Sequence, residues 1–185
     1  MTDNTLSLSD IAGPWRDSVS VQDYGGSPGI EDVRFLELRE LVDDGGSFLE
    51  LARLDEAGRF LGLEDFQVRQ LNFSTLMPGA IKAWHVHFNQ EDLWFIPPVS
   101  RLLVGLKDLR ENSPSSGNEL RLTMGPGKSR LLYIPRGVAH GCANLSQEPQ
   151  SMIYLVNQHF SLEDADERRL PWDAFGAEFW EMTRG

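Results

Sequence analysis

Glycine and proline punctuate this chain so often that no long helix fits between them, and that spacing limits the fold more than any other feature. From residue 33 onward, runs rich in β-branched and aromatic residues alternate with short turns. The runs cover 33–41, 48–53, 66–75, 81–89, 92–96, 101–109, 119–124, 129–134, 141–145 and 152–159. Between them stand Asp43-Asp44-Gly45-Gly46, Met77-Pro78-Gly79, Pro97-Pro98, the Ser/Pro-rich stretch 112–117, and Gly125-Pro126-Gly127. Only 161–169 and 174–182 have a helical period, and both are short. Many short strands with Gly/Pro connections predict an all-β, double-stranded jelly-roll barrel with short C-terminal helices.

A chain of 185 residues suits one domain with one sizeable core. Residues 1–31 are polar and punctuated, and read as an N-terminal arm before a barrel domain over 32–185. A net charge of −11 argues against a broad nucleic-acid or anionic membrane surface, since both need an excess of Lys and Arg. It leaves room for a small anionic ligand in a locally basic pocket. The single cysteine, Cys142, excludes an internal disulfide framework and reads as a small buried hydrophobe. No charged-then-apolar leader is evident, and no apolar run nears the ~20 residues that span a bilayer. A reducing, cytoplasmic setting is therefore expected.

Three of the four histidines fall in two segments: Gly79-Ala-Ile-Lys-Ala-Trp-His85-Val-His87-Phe-Asn-Gln-Glu91 and Pro135-Arg-Gly137-Val-Ala-His140. On a strand, His85 and His87 share one face, with Trp84, Val86 and Phe88 on the other. Imidazoles on one side and bulky apolar groups on the other describe the wall of a pocket. Lys82 lies three residues before His85, so simple alternation puts it on the opposite face unless the strand bulges. Taken alone, His159 reads as a surface or interface residue and Tyr154 as a core tyrosine.

These segments resemble the two cupin motifs. Gly79, His85, His87 and Glu91 meet the first; Pro135, Gly137, His140 and Asn144 meet the second. In metal-binding cupins such positions supply three imidazoles and a carboxylate, so His85, His87, Glu91 and His140 form a candidate site for a divalent transition metal.

A broader resemblance runs from about residue 33 to Trp180, to the dTDP-4-dehydrorhamnose 3,5-epimerase family of RmlC-like cupins. Its carriers are Asp43 through Glu50, Gln70-Leu-Asn72-Phe-Ser74, Ile81 through His85, and Asp108-Leu109-Arg110 with Ser113-Pro114-Ser115-Ser116-Gly117. Tyr133 through Gly141, Tyr154, and Leu170-Pro171-Trp172-Asp173 complete them. The resemblance implies an isomerase that inverts carbons next to the ketone of a nucleotide-linked 4-keto sugar, in dTDP-rhamnose biosynthesis. It implies His85 as base and Tyr154 as acid, with Glu50, Gln70, Asn72, Lys82 and His140 binding substrate and no cofactor. A homodimer, paired through the arm or an edge strand, is the expected assembly.

The chain also departs from the family pattern. Gly45 and Lys82 stand where the family has arginines, His87 where it usually has glutamine, and Leu93 at or near a lysine. No counterpart of the family's histidine-orienting aspartate is evident, so Glu91 or Asp108 is expected to substitute. Two other readings remain open at this point: a metal-dependent isomerase or dioxygenase, and a non-catalytic sugar-binding cupin.

Overall fold

The computed structural model describes residues 5–21, 28–163 and 165–183. Of the arm read over 1–31, residues 1–4 and 22–27 lie outside the described set. Residues 5–21 carry a turn of 3-10 helix at Leu8–Asp10 and one short helix, α1 (Gly13–Arg16), with no buried side chain in either.

The strands follow in order. First come β1 (Arg34–Glu37), the hairpin β2 (Glu40–Asp43) and β3 (Gly46–Leu49), and the pair β4 (Arg59–Phe60) and β5 (Leu63–Gln67). Then come β6 (Gln70–Leu76), β7 (Ile81–Val86), β8 (Asp92–Phe95), β9 (Leu102–Asp108) and β10 (Glu119–Met124). The last are β11 (Arg130–Ile134), β12 (Val138–Ala143), β13 (Gln150–Val156) and β14 (Arg168–Arg169). Two five-stranded antiparallel sheets result, ordered β1-β11-β8-β13-β6 and β10-β9-β12-β7-β14. From β6 onward the chain passes repeatedly between them, as the jelly-roll expectation requires.

Three apolar clusters hold the sheets. Leu76, Trp94, Ile96, Val104, Leu106, Leu132, Ile134 and Met152 fill one part of the space between them. Leu93, Phe95, Leu131 and Leu155 cover the outer side of the first sheet and meet Phe60, Leu63 and Phe66. Trp84, Val86, Leu103 and Ala139 do the same on the second, under Phe179 and Trp180. Strand β8 is therefore buried at all four positions, because both of its faces are covered.

Several sequence expectations need correction. The run 33–41 divides after Glu37: the Leu38 N–H bonds to the Ser129 carbonyl, and the chain then leaves the sheet to build the β2–β3 hairpin. The run 66–75 divides at Val68 and Arg69, whose N–H groups go to Gly58 and Val156 instead of a common partner strand. No helix forms over the described part of 161–169; Arg168 and Arg169 are β14, paired with Val86 and His85. The 174–182 helix shrinks to a 3-10 turn at Ala177–Trp180, because Phe179 and Trp180 are pulled onto Trp84, with ring centroids 5.0 and 4.7 Å away. Gly105 permits that docking: a Cβ there would come within 2.4 Å of Phe179 and 2.7 Å of Trp84. Among the described residues no helix is long and apolar enough to cross a membrane.

Candidate active site

The site begins with an irregularity in β7. His140 of β12 sits opposite His85, yet Cys142, two residues on, sits opposite Lys82, three residues back. One extra residue is thus accommodated in β7, and that shift turns Lys82 to the same side as His85. Gly141 makes room for it, since a Cβ there would lie 2.4 Å from the Ala83 methyl and 2.8 Å from the Lys82 carbonyl oxygen. The alternative raised for Lys82, a bulged strand, is what the structure contains.

Between the sheets opens a cavity of about 920 Å3, in the range that encloses a small organic ligand. Strand β6 contributes Gln70 and Asn72, β7 contributes Lys82 and His85, β12 contributes His140, and β13 contributes Tyr154. Six of the seven residues assigned to base, acid or substrate therefore line one space. Glu50 does not: it is exposed at the end of the β3 hairpin and pairs with Arg53 at 2.9 Å. His159, expected at the surface, is exposed at the rim. Cys142 is buried in the cavity wall, and burial pushes its thiol up to about 12.

The four-residue metal set is not assembled. His85, His87 and His140 line the cavity, but Glu91 faces out of it, bonded to Asn157 at 3.0 Å and to Arg136 at 3.2 Å. The carboxylate that enters is Asp92. Strand alternation explains the exchange, because Asp92 and Trp94 share the inner face while Glu91 and Leu93 share the outer one. Asp92 accepts from Gln90 at 2.8 Å and from the Trp94 indole at 2.9 Å.

Neither carboxylate expected to orient His85 does so. Asp108 is buried away from the cavity and accepts from Arg110, Ser113 and Ser115. The residue beside His85 is Glu167, with Oε1 3.6 Å from Nδ1. β14 carries it there by pairing with β7, and Arg169 holds its carboxylate. Asp166, one residue earlier, accepts from the main-chain N–H groups of Phe88, Asn89 and Gln90. Residues 165–167, expected to be helical, form a wall of the cavity. The only sequence hint was an Asp-Glu pair just before two arginines.

Burial sets the protonation of His85 and Tyr154, which line the same cavity. It pushes His85 below its ordinary value, assisted by Arg169 and opposed by Glu167, so the ring is a neutral acceptor at neutral pH. It pushes Tyr154 above its ordinary value, assisted by Asp92 and Glu167, so the phenol keeps its proton. His140 is driven down to about 4 by burial against the pull of Asp92. Lys82 donates to Ser74 Oγ at 2.9 Å and, among the described residues, forms no ion pair. Its positive charge is left available to the cavity.

Comparison with known proteins identifies the family and the fold. Residues 28–180 match the family model described as dTDP-4-dehydrorhamnose 3,5-epimerase. The spore coat polysaccharide biosynthesis protein SpsL of Bacillus subtilis (strain 168) is 41% identical over 144 residues, covering 78% of this chain and 91% of that protein. The crystal structure of a dTDP sugar isomerase from Desulfovibrio desulfuricans G20 superposes with a TM-score of 0.67 at 30% identity, over 83% of this chain and 91% of the other. The dTDP-4-dehydrorhamnose 3,5-epimerase of Bacillus anthracis str. Ames, solved with TDP and PPi bound, gives 0.67 at 25% identity, over 83% and 87%.

Proposed function

The chain belongs to the dTDP-4-dehydrorhamnose 3,5-epimerase family, and on that premise we propose that its cavity epimerises a dTDP-linked 4-keto-6-deoxyhexose through His85 and Tyr154. One observation carries the assignment of roles: a neutral imidazole from one sheet and a protonated phenol from the other line the same cavity. The ketone at carbon 4 acidifies the hydrogens on carbons 3 and 5. His85 takes such a proton, the C–H electrons move into the enolate, and Tyr154 returns a proton from the opposite side. The imidazolium and phenolate then exchange a proton with solvent, which restores both groups. A base with a pKa near working pH is suited to this task.

Glu167 supports the imidazolium as it forms, in the manner of a carboxylate behind a catalytic histidine. Gln70 and Asn72, linked at 2.7 Å, offer amides to the sugar hydroxyls, and His140 shapes the wall. Lys82 supplies positive charge for the diphosphate or for the enolate oxygen. The bound TDP of the Bacillus anthracis relative supports thymidine diphosphate as the carrier.

The same reading includes dTDP-rhamnose-type sugar synthesis, a cytoplasmic location and a homodimer. Exposed apolar residues support the dimer: Leu41, Val42 and Phe48 on the β2–β3 hairpin, and Leu71 and Phe73 on edge strand β6. Glu50 takes part in substrate binding only if that hairpin crosses to a partner subunit.

Solvent exchange tests the chemistry. Wild type in heavy water should place deuterium at carbon 3 or 5 of a dTDP-4-keto sugar, and His85→Asn should not. No exchange in wild type, or full exchange in the variant, removes the assignment.

A further inference from the structure

We propose that His87, Asp92 and His140 form a binding site for one divalent first-row transition-metal cation in the cavity wall. One ligand atom from each of these buried residues lies within 4.8 Å of the others. Proximity alone would be weak; the direction of the ring nitrogens makes the case. His140 Nδ1 lies 3.0 Å from the Val138 carbonyl oxygen, and His87 Nδ1 is bonded to the Asp166 carbonyl oxygen. A carbonyl only accepts, so each Nδ1 carries the hydrogen. Each neutral ring therefore has an unprotonated Nε2.

The His140 lone pair meets a third acceptor. His140 Nε2 faces Asp92 Oδ2 at 3.7 Å, too far for a hydrogen bond and with two acceptors opposed. Among the described residues His140 Nε2 receives no hydrogen bond. The Gln90 amide lies against His87 Nε2 at 3.3 Å and Asp92 Oδ1 at 2.8 Å, so one neutral side chain stands where the cation would enter. Rotating that amide away leaves three convergent donors that a cation can bridge.

The surroundings are those of a ligating set. A metal-bound histidine commonly donates its other N–H to a main-chain carbonyl, which fixes its tautomer and orientation. Both rings do so here, and Trp94 orients Asp92 in the same way. Two imidazoles and one carboxylate suit Zn, Mn, Fe(II) or Ni. His85 stands outside this set, turned toward Glu167, and stays free to act as a base. The cation would also offset the Asp92 carboxylate, which otherwise opposes an enolate forming in the same cavity. Binding itself does not depend on the epimerase reading.

Untagged protein, stripped with chelator and folded by circular dichroism, is dialysed separately against Zn2+, Mn2+ and Co2+. We expect about one equivalent per chain of at least one of these ions. Bound Co2+ should show visible d–d absorption. His87→Asn and Asp92→Asn should each weaken binding by at least ~10-fold, and His159→Ala should not. Less than about a tenth of an equivalent of every ion overturns the proposal. So does undiminished binding in folded His87→Asn and Asp92→Asn. Solvent exchange at full rate in protein that takes up less than about a tenth of an equivalent of every ion overturns the site and leaves the epimerase reading intact.

Discussion

In the proposed mechanism Glu167 acts on the reaction through His85. Its charge raises the basicity of the ring, whereas burial lowers it. Glu167→Gln should therefore slow exchange by ~10-fold or more with little change in KM. It should also move the acid limb of the kcat/KM profile to lower pH, because the ring becomes a weaker base. A KM effect with an unmoved limb would assign Glu167 to substrate binding instead. Tyr154→Phe separates the two half-reactions. Proton removal by His85 should continue, seen as solvent exchange with retention, while inverted product falls by ~100-fold or more. Loss of both together would argue against Tyr154 as the returning acid. At this scale, legibility depended on local rules. The choice of Asp92 over Glu91 could have been read from alternation through Trp94. The reach of Lys82 could not, since a bulge in β7 is decided by the space that Gly141 leaves on the neighbouring strand.

Among the elements, β14 is the least conspicuous in sequence and the most consequential for the site. Two residues long, it is held by pairing with β7, by Asp166 on the 88–90 turn, and by the Arg168 guanidinium 4.0 Å from the Phe88 ring. Behind it, Trp84 and Trp180 both donate to the Trp172 carbonyl, at 3.0 and 2.9 Å. Trp180→Ala should cost ~3–5 kcal/mol of unfolding free energy. It should also lower kcat, because the loosened segment carries Glu167; a destabilised variant with wild-type kcat would disprove that link. The helical period at 161–169 misled for a physical reason. Asp166 bonds to the 88–90 backbone and Glu167 to Arg169, partners that only the tertiary structure supplies.

For the whole molecule, the barrel was legible because turn chemistry and strand length are local properties, and the family motifs reinforced them. Part of the Asp108-Leu-Arg motif turned out to brace the fold. Burial would raise the Asp108 carboxyl, but Arg110, Ser113 and Ser115 overcome it and hold the group well below the usual carboxylate range. Such a group adds stability that is present above its unfolded value of ~3.9 and is lost as pH falls below it. Asp108→Asn should cost about 3 kcal/mol at neutral pH, because Arg110, Ser113 and Ser115 lose a buried charged acceptor and Arg110 keeps only Asp32 and the Glu31 carbonyl. It should also flatten the acid-side decline; chemical denaturation at pH 7 and pH 3 measures both.

Order of synthesis gives the β14 pairing one more consequence. The ribosome releases β14 after β1 to β13, so His85 meets its carboxylate only late in the chain's manufacture. A polypeptide cut short before residue 167 keeps the histidine, the tyrosine and most of the barrel, yet lacks the group that tunes its base. On the proposed mechanism, proton traffic at full speed is thereby reserved for finished molecules.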